Sequence, residues 1–343
     1  MKRSSIFKSV LLLLLAGFLT ACGNDDTPQA NANPEPVATE DVFTALNQQI
    51  AANPDDATLY AARAGQYYQR EGYDEAIADL TRALAIDSTN ATYLHALADV
   101  YLDYYKSYDA LKTMERAVEL HPRRVGTLLK LAEFQLILEQ HEEALFTLER
   151  LRIVEPRNAE MFFMFGEVFR DMDRTDEAIS AYQAAVDSDP ELVDAYIRIG
   201  RLYEEKGSPI ALRFYDNALR VEPLNQTALL AKGNYYGDQD DLPNALTTYK
   251  EMIRTAPQDA DGYYNAGLIY LDMDSIQSAR QHFDLAIKVA PSFAKAYYYR
   301  GLASQFMGNA AAARDDYEKA LMFDSEDQRP QEALDQLEQT IPQ

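Results

Sequence analysis

The chain has 343 residues and a formal net charge of −23 at pH 7, with 32 lysines and arginines against 55 aspartates and glutamates. A polyanion repels so acidic a chain, and no basic run is longer than Arg123–Arg124, so we expect no nucleic acid partner. The single cysteine, Cys22, excludes an internal disulfide and a four-cysteine zinc site.

The first 21 residues have the composition of a secretion signal. Lys2, Arg3 and Lys8 precede or border an apolar run from Ser9 to Ala21. As a helix this run would span about 20 Å, which is shorter than the roughly 30 Å hydrocarbon core of a membrane. We therefore predict that 1–21 is a signal peptide rather than a permanent transmembrane anchor.

The apolar run ends in Leu19–Thr20–Ala21–Cys22, which resembles the lipobox of bacterial lipoproteins. The resemblance implies that Cys22 is the lipid attachment site, with a chance pairing of a lone cysteine and an apolar run as the alternative. Residues 22–38 are polar and contain several prolines, so they cannot bury enough apolar area to fold and we predict a flexible tether. We expect an exported protein, lipid-anchored to the outer membrane, on its periplasmic face or at the cell surface.

A capping helix is predicted at 39–53. Thr39 can cap it, and Glu40 and Asp41 stand in its first turn, where acidic side chains are favourable. The side chains expected to cover the first of the repeats that follow are Val42, Phe43, Leu46 and Ile50.

A period of 34 residues runs through most of the remaining chain. Three columns keep the same spacing, with one interval of 33, and chance does not produce such a register. An alanine column holds Ala76, Ala110, Ala144, Ala178, Ala211, Ala245, Ala279 and Ala313. A column of small residues holds Ala64, Ala98, Ala132, Gly166, Gly200, Gly233, Gly267 and Gly301. Prolines recur at Pro122, Pro156, Pro190, Pro223, Pro257 and Pro291.

Within each period, apolar residues recur at steps of three and four residues. This spacing predicts two amphipathic helices per unit, which we call helix A and helix B. The small column lies on helix A and the alanine column on helix B, and we expect the two columns to face each other so that the backbones approach closely.

These residues resemble the tetratricopeptide repeat family, whose 34-residue unit has aromatic residues at positions 4, 11 and 24, a small residue at 8, alanine at 20 and 27, and proline at 32. The resemblance covers 57–325 and gives eight units, at 57–90, 91–124, 125–158, 159–192, 193–225, 226–259, 260–293 and 294–325. The fifth unit is one residue short, which we assign to its inter-helix loop. The resemblance implies an all-α fold, an α-solenoid wound as a right-handed superhelix.

A second cap is predicted after the repeats, at 326–343. Its apolar side chains fall on one side of a helix, at Ala333, Leu334, Leu337 and Ile341. The two caps would close the ends of the stacked units.

The sequence offers no catalytic constellation, so we expect neither enzyme activity nor a cofactor. The one spacing that suits a metal ion is His95, Asp99 and Asp103, on one face of a helix A. We interpret these three as ordinary solvated side chains, and we predict no metal site.

The resemblance implies a binding surface, because the A helices of this family line the concave side of the superhelix, with positions 2, 5, 9 and 12 pointing into it. From unit three onward, position 5 is large and apolar, and acidic residues follow at the ends of the same helices: Asp171, Glu204, Glu205, Asp238 and Asp272. The predicted partner-binding groove consists of Phe163, Ile197, Arg201, Leu230, Asn234, Tyr264, Leu268, Tyr298 and Leu302. The alternative is that position 5 packs against the next repeat.

These features together predict a function. We expect a non-enzymatic, membrane-anchored scaffold or adaptor of the bacterial cell envelope, which binds an envelope protein or peptide with basic and apolar features in the concave groove. The alternative is capture of a glycan or a peptidoglycan fragment by the groove tyrosines.

Overall fold

The computed structural model describes residues 39–340, and every regular element in that range is an α-helix. The predicted signal peptide, Cys22 and the tether lie outside the described residues. The helices are α1 (Thr39–Ala52), α2 (Ala57–Tyr68), α3 (Tyr73–Ile86), α4 (Ala91–Asp103), α5 (Ser107–Leu120), α6 (Val125–Ile137), α7 (His141–Val154), α8 (Ala159–Asp171), α9 (Thr175–Ser188), α10 (Val193–Glu205), α11 (Ile210–Val221), α12 (Gln226–Asp238), α13 (Leu242–Thr255), α14 (Ala260–Asp272), α15 (Ile276–Val289), α16 (Ala294–Phe306), α17 (Ala310–Phe323) and α18 (Arg329–Thr340).

Helix α1 belongs to a separate compact unit that ends at Pro54, and it is described by itself. It begins at Thr39, the residue from which the capping helix was predicted to start. Its role as a cover for the first repeat stays a prediction.

Helices α2 to α17 form eight consecutive pairs. The first helix of each pair begins at the residue where the 34-residue register starts a unit, from Ala57 in unit one to Ala294 in unit eight. Each helix A packs on the helix B of its own unit, and each helix B packs on the helix A of the next. The predicted all-α, α-solenoid architecture is confirmed.

Five of the eight A helices begin after a polar residue whose side chain caps the helix. The side-chain oxygen of Asn90 accepts hydrogen bonds from the backbone N–H groups of Thr92 and Tyr93. The same kind of cap is made by Asp56, Asn158, Asn225 and Asp259. Each cap satisfies a backbone donor at the helix start, which stabilises the helix by about 1 kcal/mol.

The turn between helices A and B passes through the left-handed backbone region. Only Gly207 and Gly308 fill this position with glycine, at φ of 64° and 76°. The other units place a side chain there, with φ between 54° and 60°, at Glu71, Tyr105, Glu139, Asp173, Asp240 and Asp274. Most units therefore carry a locally unfavourable residue in the turn, which the packed helices on either side hold in place.

The missing residue of unit five is not taken from the loop, so that prediction is wrong. Helix α11 has 12 residues, whereas the second helices of the other seven units have 14. Pro209 precedes α11 with φ of −65°. Because proline has no N–H to donate, it suits a helix start, and the helix here begins late and loses residues at its first turn.

In units four to eight the small column also lies against an aromatic ring at position 24, a contact that was not predicted from the sequence. The predicted alanine column is close as well, since a Cβ atom added to Gly301 would lie 3.2 Å from the backbone oxygen of Ala313. A Cβ atom added to Gly200 would lie 2.4 Å from Cε1 of Tyr215, and one added to Gly267 would lie 2.6 Å from Cε1 of Phe283. The same ring contact occurs at Gly166, Gly233 and Gly301, with Tyr182, Tyr249 and Tyr317. Glycine is required because the ring lies directly on the backbone of helix A.

The last repeat is covered by α18. Ala333, Leu334 and Leu337 of this helix are buried in one apolar cluster with Ala313 and Tyr317 of α17. Ile341, the fourth apolar residue predicted for this cap, lies outside the described residues.

Candidate functional site

Several A helices contact the A helix of the next unit, such as α10 with α12 and α14 with α16. We call the side chains at positions 2, 5, 6, 9 and 13 of these helices the helix A face. It contains all the residues predicted to bind a partner.

Position 5 of the helix A face is a packing position in unit five. Ile197 is only 2% exposed and is buried in a cluster with Val193, Ala218 and Ala228. These neighbours come from its own helix A, its own helix B and the helix A of the next unit. Because three helices meet at Ile197, it cannot contact a partner, and its assignment to the groove is wrong.

The other members of position 5 are half-buried and pack in the same way. Phe163 lies 5.4 Å from Tyr182, measured between ring centroids, and Leu230 packs against the cluster that contains Tyr249. The ring of Tyr264 lies 5.0 Å from that of Phe293. The apolar clusters against which Phe163, Leu230 and Tyr264 pack also contain residues of the next unit. Packing within and between units therefore accounts for the apolar row at position 5, and these side chains are only partly accessible.

Tyr298, the last member of position 5, is covered by the C-terminal helix. The guanidinium carbon of Arg329 lies 5.0 Å from the centre of the Tyr298 ring and 5.9 Å from that of Tyr299. Arg329 is held there by Asp327, with 2.6 Å between Nη2 and Oδ2. The repeat register ends before Arg329, so repeat-based reasoning missed it. This contact occupies a ring that a sugar would need for stacking.

Position 9 supplies the accessible part of the predicted groove. Arg201 and Asn234 are exposed, and Leu268 and Leu302 are half-exposed and belong to none of the apolar clusters in the described part of the chain. Unlike position 5, these four residues can contact a partner without disturbing the core.

Tyrosines of helix B support this surface from below. Their rings pass beneath the glycines of the small column, and the hydroxyl groups donate hydrogen bonds to helix A. Tyr182 donates to Glu167 at 2.6 Å, and Tyr249 donates to Oδ1 of Asn234 at 2.7 Å. Burial raises the pKa of both hydroxyl groups, so they keep their protons and remain donors. Asn234 is therefore held in one orientation before any partner binds.

An acidic edge runs beside the accessible side chains. Glu205, Asp238 and Asp272 are exposed, and no ion pair joins them to a base within residues 39–340. Burial raises the pKa of Glu204, and the charge of Asp238 adds to this effect. Burial also raises the pKa of Asp272. The edge thus concentrates negative charge that the chain itself does not neutralise.

The three residues with metal-like spacing are each engaged elsewhere. Nε2 of His95 lies 3.0 Å from Oγ1 of Thr127, Asp99 pairs with Lys130, and Asp103 accepts a hydrogen bond from Tyr68. Across the described residues, no group of three or more His, Cys, Asp or Glu side chains is arranged to hold a metal ion. Among helices α1 to α18, none combines the length and the apolar character that crossing a membrane requires.

Family models for tetratricopeptide repeats match most of the repeat region. One model, described as a TPR repeat, matches 65–103 and 166–207. Two further models, each described as a tetratricopeptide repeat, match 208–260 and, in the second case, 260–293 and 294–327. Together these matches cover more than half of the chain.

Solved structures of similar fold include a tetratricopeptide repeat protein from Parabacteroides merdae, with a TM-score of 0.51 and 17% identity over 72% of this chain and 98% of that one. The APC/C hetero-tetramer Cut9–Hcn1 matches with a TM-score of 0.50 and 16% identity, over 87% of this chain and 59% of that one. YrrB, a TPR protein with an unusual peptide-binding site, is 28% identical over 55% of this chain and 97% of its own, with a TM-score of 0.40. No curated protein matches the sequence.

Proposed function

Since this chain belongs to the tetratricopeptide repeat family, whose repeats support protein–protein interaction, we propose that it is a membrane-anchored adaptor of the bacterial cell envelope. In this proposal a partner protein or peptide binds on the helix A face, and the chain performs no catalysis itself.

The observation that carries the proposal is the accessible part of position 9. Leu268 and Leu302 stay half-exposed although no core cluster uses them, and Asn234 is held in place by Tyr249. Apolar side chains that are kept near water in this way mark a surface that a ligand can cover. Pre-oriented polar groups beside them lower the entropy cost of binding.

The chemistry of the surface defines the kind of partner. Unpaired carboxylates at Glu205, Asp238 and Asp272 lie one helical turn after the position 9 residues Arg201, Asn234 and Leu268. They favour a partner that combines lysine or arginine with apolar anchors. Exposed carboxylates attract such a partner over about 8 Å at physiological ionic strength, so association should slow as salt rises.

The anchoring part of the proposal rests on the sequence. Cys22 follows an apolar run in a lipobox-like context, and the polar residues 22–38 would separate the lipid from the repeats. An adaptor held in this way meets its partners at the outer membrane.

The experiment compares two double variants in the lipidated, full-length protein. Leu268→Glu with Leu302→Glu places charge on the helix A face, and Leu285→Glu with Met322→Glu places the same charge on exposed positions of helices α15 and α17. Partners crosslinked in envelopes are quantified by mass spectrometry for the wild type and both variants.

We expect the first variant to lose its partners by tenfold or more, because a residue at the centre of an interface can contribute about 2 kcal/mol. The control variant should retain them. Equal retention by both variants, with unchanged helix content, would place binding outside the helix A face and overturn the proposal.

A further inference from the structure

A row of ion pairs crosses the helix A face from one unit to the next. Asp99, at position 9 of unit two, pairs with Lys130, at position 6 of unit three, with 2.7 Å between Oδ1 and Nζ. Glu167, at position 9 of unit four, pairs with Arg198, at position 6 of unit five, with 2.9 Å between Oε1 and Nε. In both pairs an acid of one helix A meets a base of the next, and we call this the ion-pair row.

Glu133 stands at position 9 of unit three, between these two pairs, and it lacks the base. Position 6 of unit four is Met164 where the neighbouring units carry Lys130 and Arg198. Within residues 39–340 no hydrogen bond or ion pair involves the Glu133 side chain, and Lys130, one turn before it, is already bound to Asp99.

The missing base has an electrostatic cost. Glu133 is half-buried, and burial raises the pKa of its carboxyl group, although the charge of Lys130 opposes this effect. A carboxylate that is partly removed from water without a full counter-ion is unfavourable. A cation brought by another molecule would therefore bind it more strongly than it would bind a carboxylate in water.

We propose that Glu133 is the anchor for a lysine or arginine side chain of the partner, which pairs with Glu133 as Arg198 pairs with Glu167 in the next unit. This inference rests on the proposed function and specifies the partner more closely. Leu129 and Met164, on either side of Glu133, are half-buried apolar residues that pack on the core. The recognised segment therefore carries one basic residue with apolar residues next to it.

Two substitutions remove the anchor in different ways. Glu133→Gln keeps the size of the side chain and removes its charge. Met164→Arg supplies the missing base from the chain itself, in the register of Arg198 and Glu167, and so occupies the site. Glu119→Gln, on the exposed side of helix α5, makes the same charge change as Glu133→Gln and is the control.

The probe is a peptide selected on the protein itself. A display library of random dodecapeptides is enriched on the intact wild-type chain, and the enriched peptides are synthesised with a fluorophore. Their affinities for the wild type and the three variants are measured by fluorescence anisotropy. Each peptide is also made with citrulline or norleucine in place of its arginine or lysine. Circular dichroism and thermal melting establish that the variants fold.

We expect the enriched peptides to contain arginine or lysine. Their affinity for Glu133→Gln and for Met164→Arg should be at least tenfold lower than for the wild type, and their affinity for Glu119→Gln should be within twofold of the wild type. Replacement by citrulline or norleucine should cause the same loss. A selection that enriches no peptide dependent on Glu133 overturns the inference. If the peptides that are enriched bind independently of Glu133 but lose affinity for the Leu268→Glu, Leu302→Glu variant, the proposed function stands and only the anchor is wrong.

Discussion

The contact between Gly267 and Phe283 allows a test of the repeat packing. An added Cβ atom at Gly267 would lie 2.6 Å from Cε1 and 2.9 Å from Cδ1 of a ring that is fully buried. Ordinary contacts of a Cβ atom are longer by roughly 1 Å, so the helices or the ring must move. Overpacking of this kind costs about 1 to 3 kcal/mol.

Gly267→Ala also has a favourable effect, since alanine is a better helix former than glycine by about 1 kcal/mol. Gly65→Ala measures that effect alone, because Gly65 lies in helix α2 and a Cβ atom there would meet nothing within 4 Å. We expect Gly65→Ala to have a higher free energy of unfolding than the wild type. The free energy of unfolding of Gly267→Ala should be lower than that of Gly65→Ala by about 1 to 3 kcal/mol.

The double variant Gly267→Ala, Phe283→Leu recreates a pair that the chain already uses, since Ala64 and Leu80 occupy the same positions in unit one. Urea unfolding of the wild type, both single variants and the double variant gives the coupling energy. We expect the double variant to lose less free energy of unfolding than the two single variants lose in sum, by about 1 to 3 kcal/mol. Equal stability of Gly267→Ala and Gly65→Ala, or additive effects in the double variant, would refute this account of the glycine column.

Three further predictions concern other parts of the chain. Cys22→Ser should leave an unlipidated protein that is no longer recovered in the detergent extract of the membranes. A variant that is still recovered there would show that something other than the lipid holds the protein. Tyr105→Gly should raise the free energy of unfolding by about 1 kcal/mol, because Tyr105 is 91% exposed at a φ of 59°; a fall in stability in urea unfolding would contradict this. Burial lowers the pKa of His95 to about 4, with Lys130 and Arg124 adding to the effect, so its contribution to stability is present above about pH 6.5 and is lost as the pH falls towards 4. His95→Gln should therefore flatten the decline in melting temperature between pH 6.5 and 4, and an unchanged slope would exclude His95 as its source.

The sequence predicted the fold because the residues that set the period recur at the same positions of every unit and can be read without knowing how the units stack. The same reasoning could not establish which side chains of the helix A face are accessible. Ile197 looks like an exposed member of a row until its contacts with Ala218 and Ala228 are known, and the second of these belongs to the next unit. Arg329 was missed for a related reason, since it lies beyond the last repeat and reaches back to Tyr298. Position within a unit predicts local packing, whereas accessibility depends on how the units stack.

The pairing of position 8 with position 24 limits how such a chain can change by duplication and recombination. Units one to three combine alanine with Leu80, Met114 and Leu148, and units four to eight combine glycine with an aromatic ring. A crossover between helix A and helix B of unlike units would join alanine to a ring, which clashes, or glycine to an aliphatic side chain, which leaves a cavity. A crossover between whole units preserves every pair. The helix pair is therefore the module that exchange between unlike units must keep intact, whereas units four to eight can also recombine with one another between helix A and helix B.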